Sequence, residues 1–382
     1  MADNESKFVP DDVIFEILTW LPPETLLRLK TVCKLWNSTI CDSKFIRKHR
    51  SNFSDPRRNK NNIGRIIKIT RLIRFGSFKI YKTFVLPEHN LGATFGNSEF
   101  IDDSDGPLQM GIYGSCNGVL CYDLRSTHLM LFNPCIGRSI SIPNSSSRRI
   151  TYPRYFGIGY DSETNDYKIV KMTEKFSIAE VFSLKSNSWK EIKPPVGVLA
   201  LDGMSIYMSG SIHWLRIPRS SKTYRILLFD VANEVFTEME LPMEIDRWCF
   251  SVASIAVANG LLSIAVLKRF PDMCEVWTMN EYGVLGSWIR RFERPVPCHK
   301  EIQSIQLTVE CKIMICWYNF AETRRRRMLR PDSNKWNMEA NEATLLVFDL
   351  EKPNGDYSIR LFYPYDYAAI EASLELLDYV ER

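Results

Sequence analysis

The chain has 382 residues, 45% of them apolar and 25% charged, with a formal net charge of +4. That length exceeds one ordinary core, and the composition is that of a folded soluble protein, so disordered, collagen-like and small disulfide-stapled classes are excluded. A mildly basic balance is also far from that of a dedicated nucleic-acid binder.

The N-terminus, MADNESKFVPDD, has acidic residues before any apolar run, so no secretory signal is expected there. Ten cysteines are present without a C-x-x-C pair. Reduced, mostly buried thiols are expected, with the cytoplasm as the location and the nucleus as the alternative.

Helical signals come first. In FVPDDVIFEILTWLPPETLLRLKTVCKLWNSTI, Phe8 to Ile40, Pro10 is placed to open a helix, with Asp11 and Asp12 at the positive end of its dipole. Val13, Ile17 and Leu21 fall at i, i+4 and i+8, and Ile14 and Leu18 run alongside. The apolar face is therefore wider than one stripe. Pro22-Pro23 ends this helix and starts the next, and Trp36 and Ile40 lie one turn apart in a third. Three short helices of about forty residues cannot bury so many large side chains alone. Either the module completes its core on another protein, or it packs against its own chain.

From about residue 65 the helical period gives way to short β-type runs. Turn phrases begin at Asn117, Asn165, Ser209, Asn259 and Val309, in steps of 48, 44, 50 and 50 residues. A second marker follows each: Phe132, Phe182, Phe229, Trp277 and Phe348. A third is a run ending in proline, at Pro143, Pro194, Pro242, Pro295 and Pro364. Three markers in fixed order mean a repeat, and a unit of four short strands is one propeller blade. Residues 66–73 and 78–87 have no predecessor and the run from Tyr367 to Leu377 has no successor. Joined, they make one more blade, so six are expected, closed by pairing of N- and C-terminal strands. The uncharged stretch Cys249 to Leu267 carries Asn259-Gly260 at its centre, which predicts two buried strands and a tight turn, with no membrane span.

Val9-Pro10-Asp11-Asp12, Ile17-Leu18, Leu21-Pro22, Leu26, Leu29, Val32-Cys33-Lys34 and Trp36 resemble the F-box motif. GSCNGVLCY, LFNPCIGRSISIP and FGIGYDSETNDYKIVKM resemble phrases of plant F-box proteins with an F-box-associated, kelch-type interaction domain, a group that includes the S-locus F-box proteins. The fold class is then α+β multidomain: a three-helix F-box over residues 1–54 and an all-β propeller over 55–382. The resemblance implies a substrate-recognition subunit of an SCF-type ubiquitin ligase, itself non-catalytic and without a cofactor. Its partners would be a Skp-type adaptor and, through it, a cullin and a RING subunit. It places adaptor contact on Pro10, Ile14, Leu18, Leu21, Pro22, Leu26, Leu29, Val32, Cys33 and Trp36. The target would be a protein, with an S-locus ribonuclease as the pollen variant. Such ribonucleases are commonly basic, and a receptor at +4 is no obvious electrostatic match.

Catalytic and metal signals are weak. GSCNG, Gly114 to Gly118, imitates a nucleophile elbow, but a strand follows in place of a helix and none of the five histidines forms a motif with an acid. Cys116 therefore reads as part of a turn, with Gly114 and Gly118 allowing close approach near the propeller channel. Cys116/Cys121 and Cys311/Cys316 are C-x4-C without a histidine pair, so buried thiols explain them better than a metal. His213-Trp214 reads as packed strand core. The basic run Arg324, Arg325, Arg326, Arg327 lies in an insertion between Tyr318 and Ala343, as a solvated loop, as a contact for an acidic substrate patch, or as a nuclear-import or nucleic-acid-binding run. A propeller enzyme and an adaptor-bound scaffold that transfers no ubiquitin are the competing functions.

Overall fold

The computed structural model describes residues 9–53, 63–75, 78–84, 99–100, 110–124, 128–133, 136–145, 153–173, 178–195, 198–218, 224–242, 244–245, 250–269, 272–296, 302–307, 312–318, 343–350, 357–361, 365–371 and 376. It opens with α1 (Asp11–Leu18), α2 (Pro23–Leu29), α3 (Lys34–Ile40) and α4 (Ser43–Phe53). The fourth helix lies beyond the three the sequence signals. Its sequence, SKFIRKHRSNF, is mostly polar, but Phe45, Ile46 and His49 gather on one side and are buried. Asp42 caps it, its Oδ1 accepting the Lys44 N–H at 2.8 Å and the Phe45 N–H at 3.4 Å.

Strands follow in groups. The first is β1 (Ile63–Phe75), β2 (Phe78–Phe84) and β3 (Glu99–Phe100). The first full blade is β4 (Met110–Cys116), β5 (Val119–Leu124), β6 (His128–Asn133) and β7 (Arg138–Ser141). The second is β8 (Pro153–Asp161), β9 (Asp166–Thr173), β10 (Ala179–Ser183) and β11 (Ser188–Ile192). The third is β12 (Val198–Met208), β13 (Ser211–Pro218), β14 (Arg225–Asp230) and β15 (Val235–Glu240). The fourth is β16 (Phe250–Ala258), β17 (Leu261–Arg269), β18 (Asp272–Met279) and β19 (Trp288–Pro295). The fifth is β20 (Ile302–Leu307), β21 (Lys312–Tyr318), β22 (Ala343–Asp349) and β23 (Tyr357–Leu361), and β24 (Tyr365–Glu371) ends the series.

Among the described residues these strands make six four-stranded antiparallel sheets. Five are simple up-and-down blades, and the other has the order β24-β1-β2-β3. There Ile63 to Ile69 pair with Glu371 to Tyr365, so the two ends of the strand region meet in one sheet. Such closure removes an open sheet edge.

The local code is legible. Asn117-Gly118, Ser209-Gly210 and Asn259-Gly260 all have positive φ at both positions, the geometry of a two-residue I′ turn, and each joins the first and second strands of a blade. The uncharged stretch around Asn259-Gly260 is the β16–β17 hairpin. In the second blade, Asn165 has φ +54 in a longer turn where Asp161 Oδ1 accepts the Glu163 and Thr164 N–H groups.

Middle strands are buried on both faces: β9, β10, β14 and β18 are nearly all interior, whereas β11 and β15 expose most of their residues. The reason is that the core lies between blades. One apolar cluster joins the first and second blades through Cys116, Leu131, Ile158, Ile169 and Phe182. A second joins the second and third, where Val170, Met172 and Val181 meet Trp214 and Phe229. Two more continue between the third and fourth and between the fourth and fifth. Small residues permit the contact. A Cβ on Gly157 would lie 2.3 Å from the Trp214 ring, and the Trp214 indole N–H donates to the Phe156 carbonyl at 3.0 Å.

Candidate functional site

Each helix start in the N-terminal unit has a physical cause. Pro10 and Pro22 precede α1 and α2 with φ −57, and Asp11 and Asp12 occupy the first turn of α1. Cys33 caps α3, its Sγ accepting the Trp36 N–H at 3.4 Å. Side chains then tie the turns together. Asn52 Nδ2 donates to Thr19 Oγ1 at 2.9 Å, and His49 Nε2 donates to the Leu21 carbonyl at 2.9 Å. Burial lowers the His49 pKa, against the raising effect of that hydrogen bond, so the ring is held neutral with its proton on Nε2. The shared core is Leu18, Leu26, Ile40, Phe45 and Ile46, with the Phe15 and Phe45 rings edge-on at 5.3 Å.

That core sorts the candidate contact residues. Leu18 and Leu26 are 2% and 0% exposed, inside the unit. Ile14, Leu21, Leu29 and Trp36 are half-buried against it, and Pro10, Pro22, Val32 and Cys33 are exposed. The sequence list leaves out a second set. Val9, Val13, Ile17, Trp20 and Leu35 are all large, apolar and between 43% and 54% exposed, with Val32 at 59%. The signal was the double apolar stripe on α1: one edge turns inward and the other outward. Between α1 and α3 lies a groove of about 690 Å³ lined by Val13, Ile17, Leu35, Trp36 and Thr39, with Asp12 at its rim.

The propeller places the other candidates. Cys116 and Cys121 are 3% and 0% exposed in the first inter-blade cluster. Burial, with Asp123 adding to it, pushes the Cys121 thiol up, which disfavours the thiolate that nucleophile or ligand chemistry needs. Gly114 lies where a Cβ would meet Ser205 Oγ at 2.6 Å and the Ser205 carbonyl oxygen at 2.8 Å, and Ser205 Oγ donates to the Tyr113 carbonyl at 2.8 Å. The GSCNG phrase is thus a close contact between β4 and β12 followed by a hairpin turn. His213 is fully buried, with Nε2 2.7 Å from the Tyr282 hydroxyl, and burial lowers its pKa to about 4. Cys311 and the run Arg324, Arg325, Arg326, Arg327 lie outside the described residues, as does the side chain of Cys316. Among the described residues no cluster of three or more His, Cys, Asp or Glu could hold a metal.

Fold and site together define a small helical unit with exposed apolar side chains, fused to a β-propeller whose first and last strands pair. The comparisons give that class its family. Residues 9–48 match the F-box domain and residues 72–352 match the F-box associated beta propeller domain. The second match spans most of the chain, and the protein belongs to that family of F-box proteins. The chain is similar to F-box protein CPR1 of Arabidopsis thaliana, with 26% identity covering 90% of this chain and 82% of that one. It is also similar to an F-box/kelch-repeat protein of the same plant, at 24% identity over 75% and 79% of the two chains. An F-box/LRR-repeat/kelch-repeat protein matches at 26%, over 74% and 76%.

Proposed function

We propose that this chain is the substrate-recognition subunit of an SCF-type ubiquitin ligase. The F-box takes a Skp-type adaptor, and through it a cullin and a RING subunit, while the propeller takes a protein target. The observation that carries the reading is the set of exposed apolar side chains Val9, Val13, Ile17, Trp20, Val32 and Leu35, of which Val13, Ile17 and Leu35 line one groove, on a unit that already has its own core. A folded chain rarely leaves an apolar groove and so many large apolar side chains on one small unit in water unless a partner covers them. Ile14 and Trp36 line the same groove, Pro10, Leu21, Pro22, Leu29 and Cys33 belong to the same helical unit, and Leu18 and Leu26 support it from inside. The chain's own chemistry is proximity: it raises the effective concentration of target lysines at the ubiquitin-loaded enzyme and needs no acid, base or cofactor. The buried, thiol-form Cys121 and the buried Cys116 favour this over a cysteine hydrolase. The pollen variant, with an S-locus ribonuclease as target, rests on the sequence resemblance alone.

The test is co-expression with a Skp-type adaptor and size-exclusion chromatography, followed by ubiquitin transfer in the reconstituted ligase. A one-to-one complex that Ile17→Asp with Leu35→Asp abolishes supports the reading. A wild-type chain that elutes alone refutes it. A complex that forms but transfers no ubiquitin would leave a scaffold.

A further inference from the structure

The F-box and the propeller are joined by more than the chain between them. Ile136, in the β6–β7 turn, packs both against the F-box core cluster of Leu18, Leu26, Ile40, Phe45 and Ile46 and against the first inter-blade cluster. Arg50, in the last turn of α4, places its guanidinium 4.1 Å from the centre of the Tyr160 ring, a cation–π geometry. Tyr160 is only 5% exposed and is itself fixed from the next blade, since the Tyr207 hydroxyl donates to its carbonyl at 2.6 Å.

Strand direction says which face this is. In an antiparallel blade the first and third strands run the same way, so the first–second and third–fourth turns share one rim. Tyr160 ends the first strand of the second blade, and Ile136 follows the third strand of the first blade. Both F-box contacts therefore fall on the same rim, over neighbouring blades. The opposite rim is where second strands end and third strands begin, as at Leu124 and His128 or Arg269 and Asp272.

We infer that Ile136, Arg50 and Tyr160 are positioning residues that clamp the F-box onto the hairpin rim of the first two blades. The clamp fixes the direction in which the propeller faces the transfer machinery and turns the opposite rim toward the target. Its geometry stands apart from the ligase reading; its consequence for ubiquitin transfer rests on it. A stiff joint holds target lysines within a narrow volume, whereas a loose one spreads them over a larger one.

The test uses the full chain bound to a Skp-type adaptor. Arg50→Ala with Ile136→Ser is compared with wild type and with Arg50→Lys, which keeps a cation over the ring. Small-angle X-ray scattering reads the maximum dimension. Mass spectrometry reads which propeller lysines are modified when the reconstituted ligase ubiquitinates its own receptor. The double variant is expected to bind adaptor as wild type does, to show a larger maximum dimension, and to lose the restricted lysine set. Arg50→Lys is expected to restore both. If the double variant misfolds by circular dichroism, Arg50→Ala alone should shift both readouts the same way. Unchanged dimension and lysine set overturn the clamp. If the wild type fails to bind adaptor but the free chain still expands on double substitution, the clamp stands and the ligase reading falls.

Discussion

Ile17 and Leu18 are neighbours in α1 and should behave as opposites. Ile17 is 54% exposed and Leu18 is 2% exposed. Full burial of an Ile or Leu side chain contributes ~1.5–3 kcal/mol, so covering the open half of Ile17 by a partner is worth about 1 kcal/mol. Leu35, 53% exposed, adds a similar amount. Aspartate at both positions removes these terms and brings two carboxylates against an apolar partner, at a further cost of at least ~1 kcal/mol each, the lower figure for even a neutral polar group. The sum is at least roughly 4 kcal/mol, a loss of about a thousandfold or more in affinity at about 1.4 kcal/mol per decade. Folding stability should change by no more than about 0.5 kcal/mol per exposed site. Leu18→Asp does the reverse, since even Leu→Ala at such a site costs ~2–5 kcal/mol and the F-box core should not form. Isothermal titration with the adaptor and thermal unfolding, run on both variants, separate the two. Wild-type adaptor affinity in Ile17→Asp/Leu35→Asp refutes the outward face. A melting temperature as low as that of Leu18→Asp would show that these side chains serve the core instead.

Three further outcomes follow from the blades. Trp214→Ala removes a fully buried indole and its hydrogen bond to Phe156. It should cost ~3–5 kcal/mol, and a loss under about 1 kcal/mol in denaturant unfolding would contradict the packing over Gly157. Lys168 joins the second and third blades, its Nζ 3.1 Å from Asp161, 3.0 Å from Glu234 and 2.9 Å from the Val231 carbonyl. Burial pushes the Asp161 pKa up, but hydrogen bonds from Thr164, Lys168 and the Glu163 N–H outweigh it, so it is held below the ordinary aspartate value. Burial pushes Lys168 down, and its bonds to Glu234 and Asp161 outweigh that and raise it. The Asp161 contribution is thus present above about pH 4 and lost as pH falls further, and the Lys168 contribution is present below about pH 10 and lost above. The contribution of this pair should be flat between those limits, while the buried neutral rings of His49 and His213, with pKa values held below the ordinary histidine value, lose stability for the whole chain as pH falls below about 6.5. Lys168→Met should cost ~3–5 kcal/mol at neutral pH by leaving the buried Asp161 without its cation. Cys116→Ala should leave adaptor binding and ubiquitin transfer unchanged while lowering the melting temperature slightly; loss of transfer in a folded variant would revive a nucleophilic role.

Much of this architecture was legible because the repeat writes it several times. Asn-Gly and Ser-Gly steps with positive φ mark the first hairpin of the first, third and fourth blades, and the third-strand aromatics Phe132, Phe182, Phe229 and Trp277 are buried in the first four. What the sequence withheld has physical causes. The α4 helix is mostly polar, and among its described side chains Phe45, Ile46 and His49 betray the face that closes the F-box core. The split of α1 into an inner and an outer stripe was visible as width. Which stripe was which depended on where α3 and α4 pack, a tertiary matter. Ile136 and Arg50 carry no local signal, because a turn isoleucine and a helix-end arginine acquire a role only when two distant segments meet.

Closure is the feature whose failure would cost the most. In the first half of β1, IGRIIKI, Ile63 to Lys68 pair only with β24, Ile69 pairs with both β24 and β2, and the second half pairs with β2. Without β24 a seven-residue run with four isoleucines becomes an open edge, with its backbone groups unpaired. Each lost ladder bond costs ~0.5–1.5 kcal/mol, so disrupting even the centre of the pairing should remove a few kcal/mol. Open apolar edges also recruit other chains. Proline at Ala368 and at Ala369, tested singly, removes one backbone donor at each of two successive positions opposite Ile66 and Arg65, so one of them must strike the β1 side of the ladder. That variant should melt lower than its neighbour and form high-mass species on size-exclusion chromatography at tens of micromolar. Leaving the strand in place keeps Leu376 in the first inter-blade cluster, which a truncation would remove as well. If both proline variants stay monomeric and melt with the wild type, the ends of the ring are held by something other than this ladder.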